Sequence, residues 1–167
     1  MTVQEIADAI TAKFGEDAII EKKLDILQPA LYINPAKLVE VCFFLRDTEP
    51  YYFDYLSCIS GVDYGVKENM LGVVYHLASI PNEGFQLTLH VKIPRTTENG
   101  DLPSVPSVSA VWKAADWLER ETYDLVGIKF ENHPDLRRIL CPDDWIGHPL
   151  RKDYEVQEYY HGIKVKY

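Results

Sequence analysis

Between residues 116 and 154 the sequence gathers most of the side chains that could do chemistry. His133, Cys141 and His148 stand there with Asp143 and Asp144, and a metal site would have to draw on that set. The spacing matches no tetrahedral zinc pattern and no iron–sulfur run, and a lone cysteine before Pro142 reads as a small buried side chain. As a nucleophile, Cys141 would need a base such as His133 or His148 and surroundings that lower its pKa; nothing in its context supplies them. Asp143, Asp144 and Asp153 could form an acid pair for hydrolysis, yet after Pro142 the first two more simply make a turn or a helix N-cap. His76 and His90 fall on strand positions and read as surface or hydrogen-bonded histidines. There is no glycine-rich phosphate loop, dinucleotide fingerprint or nucleophile elbow.

The second constellation is the charged run from Glu119 to Asp124. At 100° per residue, Val111, Ala114, Ala115, Leu118, Thr122, Leu125 and Val126 share one helical arc, with Lys113, Asp116, Arg120 and Asp124 opposite. That opposite side is expected to be solvated, with Asp116–Arg120 and Arg120–Asp124 pairs worth about 0.3–0.5 kcal/mol each. Glu119 falls at the edge of the apolar arc. A partly buried carboxylate needs a donor or a cation, and Arg137 and Arg138 are the expected partners.

These residues must be positioned by the elements around them. Residues 2–14 read as a helix, with Thr2 and Glu5 in capping-box spacing and Gly15 placed to end it. Residues 26–33 predict a strand in which Pro29 marks an edge or a bulge. Asn34 and Pro35 open a second helix with Leu38, Val41, Cys42 and Leu45 on its face. Residues 52–64, 71–80 and 85–93 are three strand-like segments joined by turns. In the last, Phe85, Leu87, Leu89, Val91 and Ile93 alternate with Gln86, Thr88, His90 and Lys92, the pattern of a sheet covered on one face. Residues 94–107 read as a loop and 108–126 as the third helix. The expected fold class is α+β: an antiparallel meander sheet with helices packed on one face, occupying residues 1–126, followed by an extended irregular C-terminal arm over 127–167. In that arm Pro134, Pro142, Gly147 and Pro149 forbid long helix or central strand. An arm too sticky for a disordered tail and too irregular for a domain is most simply a strap across a partner, and arginine-rich aromatic segments suit buried interfaces.

Composition is ordinary for one globular domain, 47% hydrophobic and 26% charged over 167 residues. A net charge of −9 argues against non-specific nucleic-acid or basic membrane-surface binding. The three cysteines show no paired spacing, which fits a reducing compartment. No targeting segment or membrane-length apolar run is present, so the chain is expected to be soluble.

From Glu119 onward the sequence resembles a known family, the 30 kDa subunit, or C subunit, of the proton-pumping NADH:quinone oxidoreductase, respiratory complex I. The family signature reads here as Glu119, Arg120, Glu121, Asp124, Leu125, Val126, His133, Arg137, Ile139 and Leu140 without a gap. The flanking VPSVSAVWKAADWLERE and HPDLRRILCPDDWIGHPLRKDY, together with GVDY and VVYHL, also look like the family. Asn132, Ile146 and Glu155 depart from its pattern.

The resemblance implies a cofactor-free structural subunit in the peripheral arm of the complex, on the cytoplasmic side of the membrane. Its partners would be the large hydrogenase-like quinone-site subunit and the subunit that holds the terminal iron–sulfur cluster, with no nucleic acid and no membrane span. The assembled complex would use NADH, FMN, iron–sulfur clusters and quinone. No catalytic, cofactor-binding or metal residue is expected in this chain. The residues expected at interfaces or in the structural signature are Glu119, Arg120, Glu121, Asp124, His133, Arg137, Arg138, Asp143, Trp145, His148, Pro149, Arg151, Lys152, Asp153 and Tyr154. Alternatives are the equivalent subunit of a membrane-bound hydrogenase or ferredoxin-dependent quinone oxidoreductase, a free-standing Cys/His metal or thiol enzyme, and an independent binding module.

Overall fold

The computed structural model describes residues 1–166; the last residue assigned to the arm, Tyr167, lies outside them. The architecture is α+β, a five-stranded, mostly antiparallel sheet with three helices on one face. Helix α1 (Val3–Phe14) begins at a reciprocal capping box: the Thr2 hydroxyl accepts from the Glu5 N–H, and the Glu5 carboxylate accepts from the Thr2 N–H. Gly15 closes it. Asn34 caps a single 3₁₀ turn at Pro35–Lys37, and α2 (Leu38–Asp47) follows with Leu38, Val41, Cys42 and Leu45 all buried, the face the spacing predicts.

The meander is formed by β3 (Tyr55–Gly65), β4 (Met70–Ser79) and β5 (Phe85–Pro94), paired antiparallel in sequence order. Leu71, Val73, Tyr75 and Leu77 of β4 and Leu87, Leu89 and Val91 of β5 are sealed in the core beneath the helices. The period-2 pattern of these strands dictates that arrangement, because one face has to be removed from water.

The other half of the sheet differs from expectation. β1 (Ile19–Lys23) and β2 (Ala30–Ile33) form a hairpin, and β2 joins β5 in parallel, giving the order β1-β2-β5-β4-β3. β1 carries Glu21, Lys22 and Lys23 and has no apolar alternation, because as an edge strand it buries little. β2 is an interior strand, not an edge or a bulge. It starts after Pro29, so the missing proline N–H is never needed by the ladder.

Two further differences concern residues 94–131. The stretch read as loop contains β6 (Ser104–Pro106), paired in parallel with β7 (Lys129–Glu131) from the start of the arm. The third helix, α3 (Ala115–Val126), is shorter than predicted. Residues 108–114 instead form tight turns, with the N–H groups of Val111 and Trp112 both donating to the Val108 carbonyl and the Trp112 indole N–H donating to the Phe53 carbonyl.

α3 crosses β3 at Gly61, where a Cβ would stand 2.8 Å from both Thr122 Cγ2 and Val126 Cγ2. The glycine is required there for close approach of helix and strand. At the other end of α3, Gly127 takes φ +72, the left-handed cap that ends the helix and turns the chain back. No helix among the described residues is long and apolar enough to cross a membrane.

Candidate functional site

The arm retraces α3 and is fastened to it residue by residue. Asp124 is the centre of that fastening. Its carboxylate is fully buried and accepts N–H groups from Ile139, Leu140 and Cys141 at 3.0, 2.7 and 2.8 Å, and the Arg138 guanidinium at 2.6 Å. Burial raises its pKa, but the Cys141 N–H, Arg138 and the two other N–H groups outweigh burial and hold it at about 2. Of the side of α3 expected to be solvated, Arg120 and Asp124 are therefore covered, while Lys113 stays exposed and Asp116 half-exposed. Neither helical ion pair forms: Arg120, also buried, donates to the carbonyls of Arg137 and Arg138 and lies over the Trp117 ring. The arm has no regular period, and side chains of α3 supply the partners that its backbone does not find in itself.

Arg138 extends the fastening outward through the carbonyls of Trp145 and Gly147. His148 Nδ1 donates to the Asp124 carbonyl, and the Leu150 N–H to that of Leu125. Arg151 donates to the Val126 and Gly127 carbonyls, capping the C-terminus of the helix with a cation. Pro149, half-buried, lies between His148 and Leu150 in this run of contacts.

Glu119 is buried without an arginine, contrary to the expectation from the helical wheel. Arg137 is exposed and pairs with Asp135, while Arg138 is taken by Asp124. The Glu119 carboxylate instead accepts the Ser107 hydroxyl at 2.6 Å and the Val108 N–H at 2.7 Å, with His133 Nε2 3.9 Å away. Burial is the main reason its pKa rises to about 7; the two hydrogen bonds oppose the rise and Asp116 adds to it. His133 donates from Nε2 to the Asp116 carbonyl and accepts the Asp135 N–H at Nδ1, so it ties the start of the arm to the start of α3.

A second buried network fastens the arm further along, at Lys152 and Asp153. Arg95, on the segment leaving β5, pairs with the Asp63 carboxylate and at 2.5 Å with Asp153, and the Lys152 N–H donates to Asp63 at 2.7 Å. Burial opposes ionisation of Asp63, but the Arg95 hydrogen bond and the N–H groups of Lys152 and Gly65 hold it at about 2. Lys152 and Asp153 belong to the expected set; Asp63 and Arg95 were missed. The available signal was the alternation of β3, which places charged Asp63 on the inward side with Ile59 and Gly61.

Of the remaining residues of the expected set, Asp143, Trp145 and Tyr154 lie on the arm and Glu121 on α3. The Trp145 indole donates to the Tyr154 hydroxyl, and its ring packs on Tyr160. Asp144 accepts from the Tyr160 hydroxyl and from His161 Nε2, in and beside the terminal hairpin of β8 (Tyr159–Tyr160) and β9 (Ile163–Lys164). Asp143 and Glu121 are exposed. Asp143 and Asp144 sit in a turn in which the Trp145 N–H donates to the Pro142 carbonyl.

His133, Cys141, His148, Asp143 and Asp144 are thus dispersed among separate structural contacts. Among the described residues no group of three or more His, Cys, Asp or Glu is placed to hold a metal. Burial and the neighbouring Asp124 carboxylate push the Cys141 thiol up, the opposite of what an activated nucleophile needs. Large apolar side chains remain on the outside: Trp117, Leu140, Ile146 and Leu150 are each 60–70% exposed. They are held at fixed positions on or beside α3 by the contacts just described. The arrangement can present a rigid surface.

A model of the family described as "Respiratory-chain NADH dehydrogenase, 30 Kd subunit" matches residues 31–160. A protein of Chloroherpeton thalassium, named as the C subunit of NADH-quinone oxidoreductase, is 50% identical over 159 residues, 95% of this chain and 63% of that protein. The protein of the same name from Chlorobium phaeobacteroides is 43% identical over 160 residues, 96% of this chain and 93% of its own length. That of Geobacter sulfurreducens is 49% identical over 122 residues, 72% and 70% of the two chains.

Proposed function

Since the chain belongs to the family of the 30 kDa subunit of respiratory-chain NADH dehydrogenase, we propose that it is a cofactor-free structural subunit of the peripheral arm of proton-translocating NADH:quinone oxidoreductase. In this reading it catalyses no step itself. It supports electron transfer from NADH through iron–sulfur clusters to quinone by holding the large quinone-site subunit and the terminal-cluster subunit in fixed geometry, on the cytoplasmic side of the membrane.

The observation that carries the reading is the division of labour in the arm. Arg120, Arg138, Arg151 and Asp124 are consumed by contacts within the chain, while Trp117, Leu140, Ile146 and Leu150 face outward around them. Internal charges set the path of the backbone, and the apolar side chains are what a partner would bury. Fixing them before docking lowers the entropy lost on association, and burying a side chain of this size is worth about 1.5–3 kcal/mol.

The test is the double variant Leu140→Asp, Ile146→Asp in the native complex. Both side chains are exposed, so the isolated chain should melt as the unaltered one does, while recovery of the chain with the purified complex should fall at least about tenfold. Full recovery with unchanged NADH:quinone reductase activity would sink the docking role.

A further inference from the structure

The two edges of the sheet are treated differently. β1, at one edge, is five residues long, carries Glu21, Lys22 and Lys23, and shifts register between Ile19 and Glu21. Short length, charge and a bulge are the usual protections against another strand pairing there. β3, at the other edge, spans eleven residues and pairs only with β4 among the described residues. Its register shifts lie at Leu56/Cys58 and Asp63/Gly65, so Cys58 to Asp63 run as an uninterrupted ladder against His76 to Leu71.

Within that ladder Cys58, Ile59, Ser60, Gly61 and Val62 carry no charge. In an antiparallel pair only every second residue directs its N–H and C=O at the neighbour; the others point away. Among the described residues no backbone or side-chain group outside β4 hydrogen-bonds to the main chain of these five. An open run of this length equals a typical strand of about 5–6 residues.

The edge also has a wall. A groove of about 250 Å³ runs along it, with Ile59 and Gly61 on one side and Glu121, Leu125, Val126 and Leu150 on the other. Leu150 brings the arm into the same groove, and the arm closes its end where the Lys152 N–H reaches Asp63. The groove is therefore continuous with the surface assigned above to partner binding. Glu121 is exposed on its rim, and no cation pairs with it among the described residues.

We infer that the free edge of β3 is completed by an extended segment of a neighbouring subunit, added as a sixth strand. This deepens the structural-subunit reading and rests on it. The segment pairs with the outward-facing main chain of residues 58–62. Its alternate apolar side chains enter the groove against Leu125 and Leu150, and a Lys or Arg stands opposite Glu121. Strand addition takes affinity from main-chain bonds and specificity from such alternate pockets.

Amide hydrogen exchange over residues 58–62, in the isolated full chain and in the purified complex, tests the inference. In the isolated chain the residues bonded to β4 should be protected and the alternate ones fast. In the complex the fast set should slow at least about 100-fold, giving protection at every residue. If the chain is present in the complex and the alternate amides stay fast, the added strand is excluded while the subunit reading stands. If the isolated chain acquires the same protection as its concentration rises and sediments as a dimer, the occupant is a second copy and the inference fails. Absence of the chain from the purified complex would overturn both readings.

Discussion

The Arg138 guanidinium lies 2.6 Å from the carboxylate of Asp124, and at this pair the third helix takes hold of the arm that follows it. Asp124 has no exposure and satisfies three main-chain N–H groups besides the arginine. Removing it takes the shared acceptor from three main-chain N–H groups and leaves the Arg138 guanidinium without its counter-charge.

Asp124→Ala is expected to destabilise the chain by about 3–5 kcal/mol, the range for breaking one member of a buried ion pair. Urea denaturation gives the loss directly. Limited proteolysis after residue 137 should accelerate in parallel, because the arm is released from the helix; unchanged cleavage would show that other contacts hold it.

The two carboxylates on Arg95 are expected to be unequal. Asp63 is buried and also accepts two N–H groups, whereas the Asp153 side chain is 44% exposed. Asp63→Ala should cost about 3 kcal/mol or more, Asp153→Ala about 1 kcal/mol or less. Comparable losses in urea melts would contradict the assignment of Asp63 as the structural partner.

Glu119 and the two buried aspartates give stability opposite slopes with pH. The Glu119 pKa is raised to about 7 in the folded chain, so between about 4.5 and 7 the folded state binds more protons than the unfolded one and stability falls as pH rises. The expected decline is about 3 kcal/mol. Asp63 and Asp124, held at about 2, contribute stability above pH 4 that is lost as pH falls from 4 to 2. Glu119→Gln should flatten the slope between pH 4.5 and 7 and leave the acid limb intact. A wild-type curve that is already flat in that window would remove Glu119 as the titrating group.

Gly61→Ala should cost about 1–3 kcal/mol, since the added methyl meets Thr122 and Val126 at 2.8 Å. Adding Val126→Ala should recover part of that loss, and a double-mutant cycle measures the coupling. Strictly additive losses would mean that helix and strand separate without resistance.

Wherever a single period governs a segment, the sequence was sufficient to read the fold. The capping box at Thr2 and Glu5, the buried face of α2 and the three meander strands all follow from local spacing. β1 was invisible because Glu21, Lys22 and Lys23 belong to a solvated edge, and its pairing comes from β2. β6 and β7 are three residues each and exist only because they meet. The covered side of α3 was misread for a related reason. Asp116, Arg120 and Asp124 have the pattern of a wet face, and only the returning arm buries the last two. Charged side chains are buried there because main-chain groups of the arm need them, a demand that no helical wheel contains. Arg95 was missed because its partners lie on two distant segments.

Most contacts of the arm are short in sequence: Arg120 reaches carbonyls 17 and 18 residues on, and Asp124 reaches donors 15 to 17 residues on. The hydrogen bond from Lys152 to Asp63 spans 89 residues. Local contacts lose little chain entropy on closure and distant ones lose more. The helix and arm can therefore associate early, whereas the last fastening waits until β3 to β5 have closed and carried Asp63 and Arg95 into place. The order of these events makes the finished arm a record of a folded domain. A neighbour that requires the whole surface engages only chains that have completed their sheet.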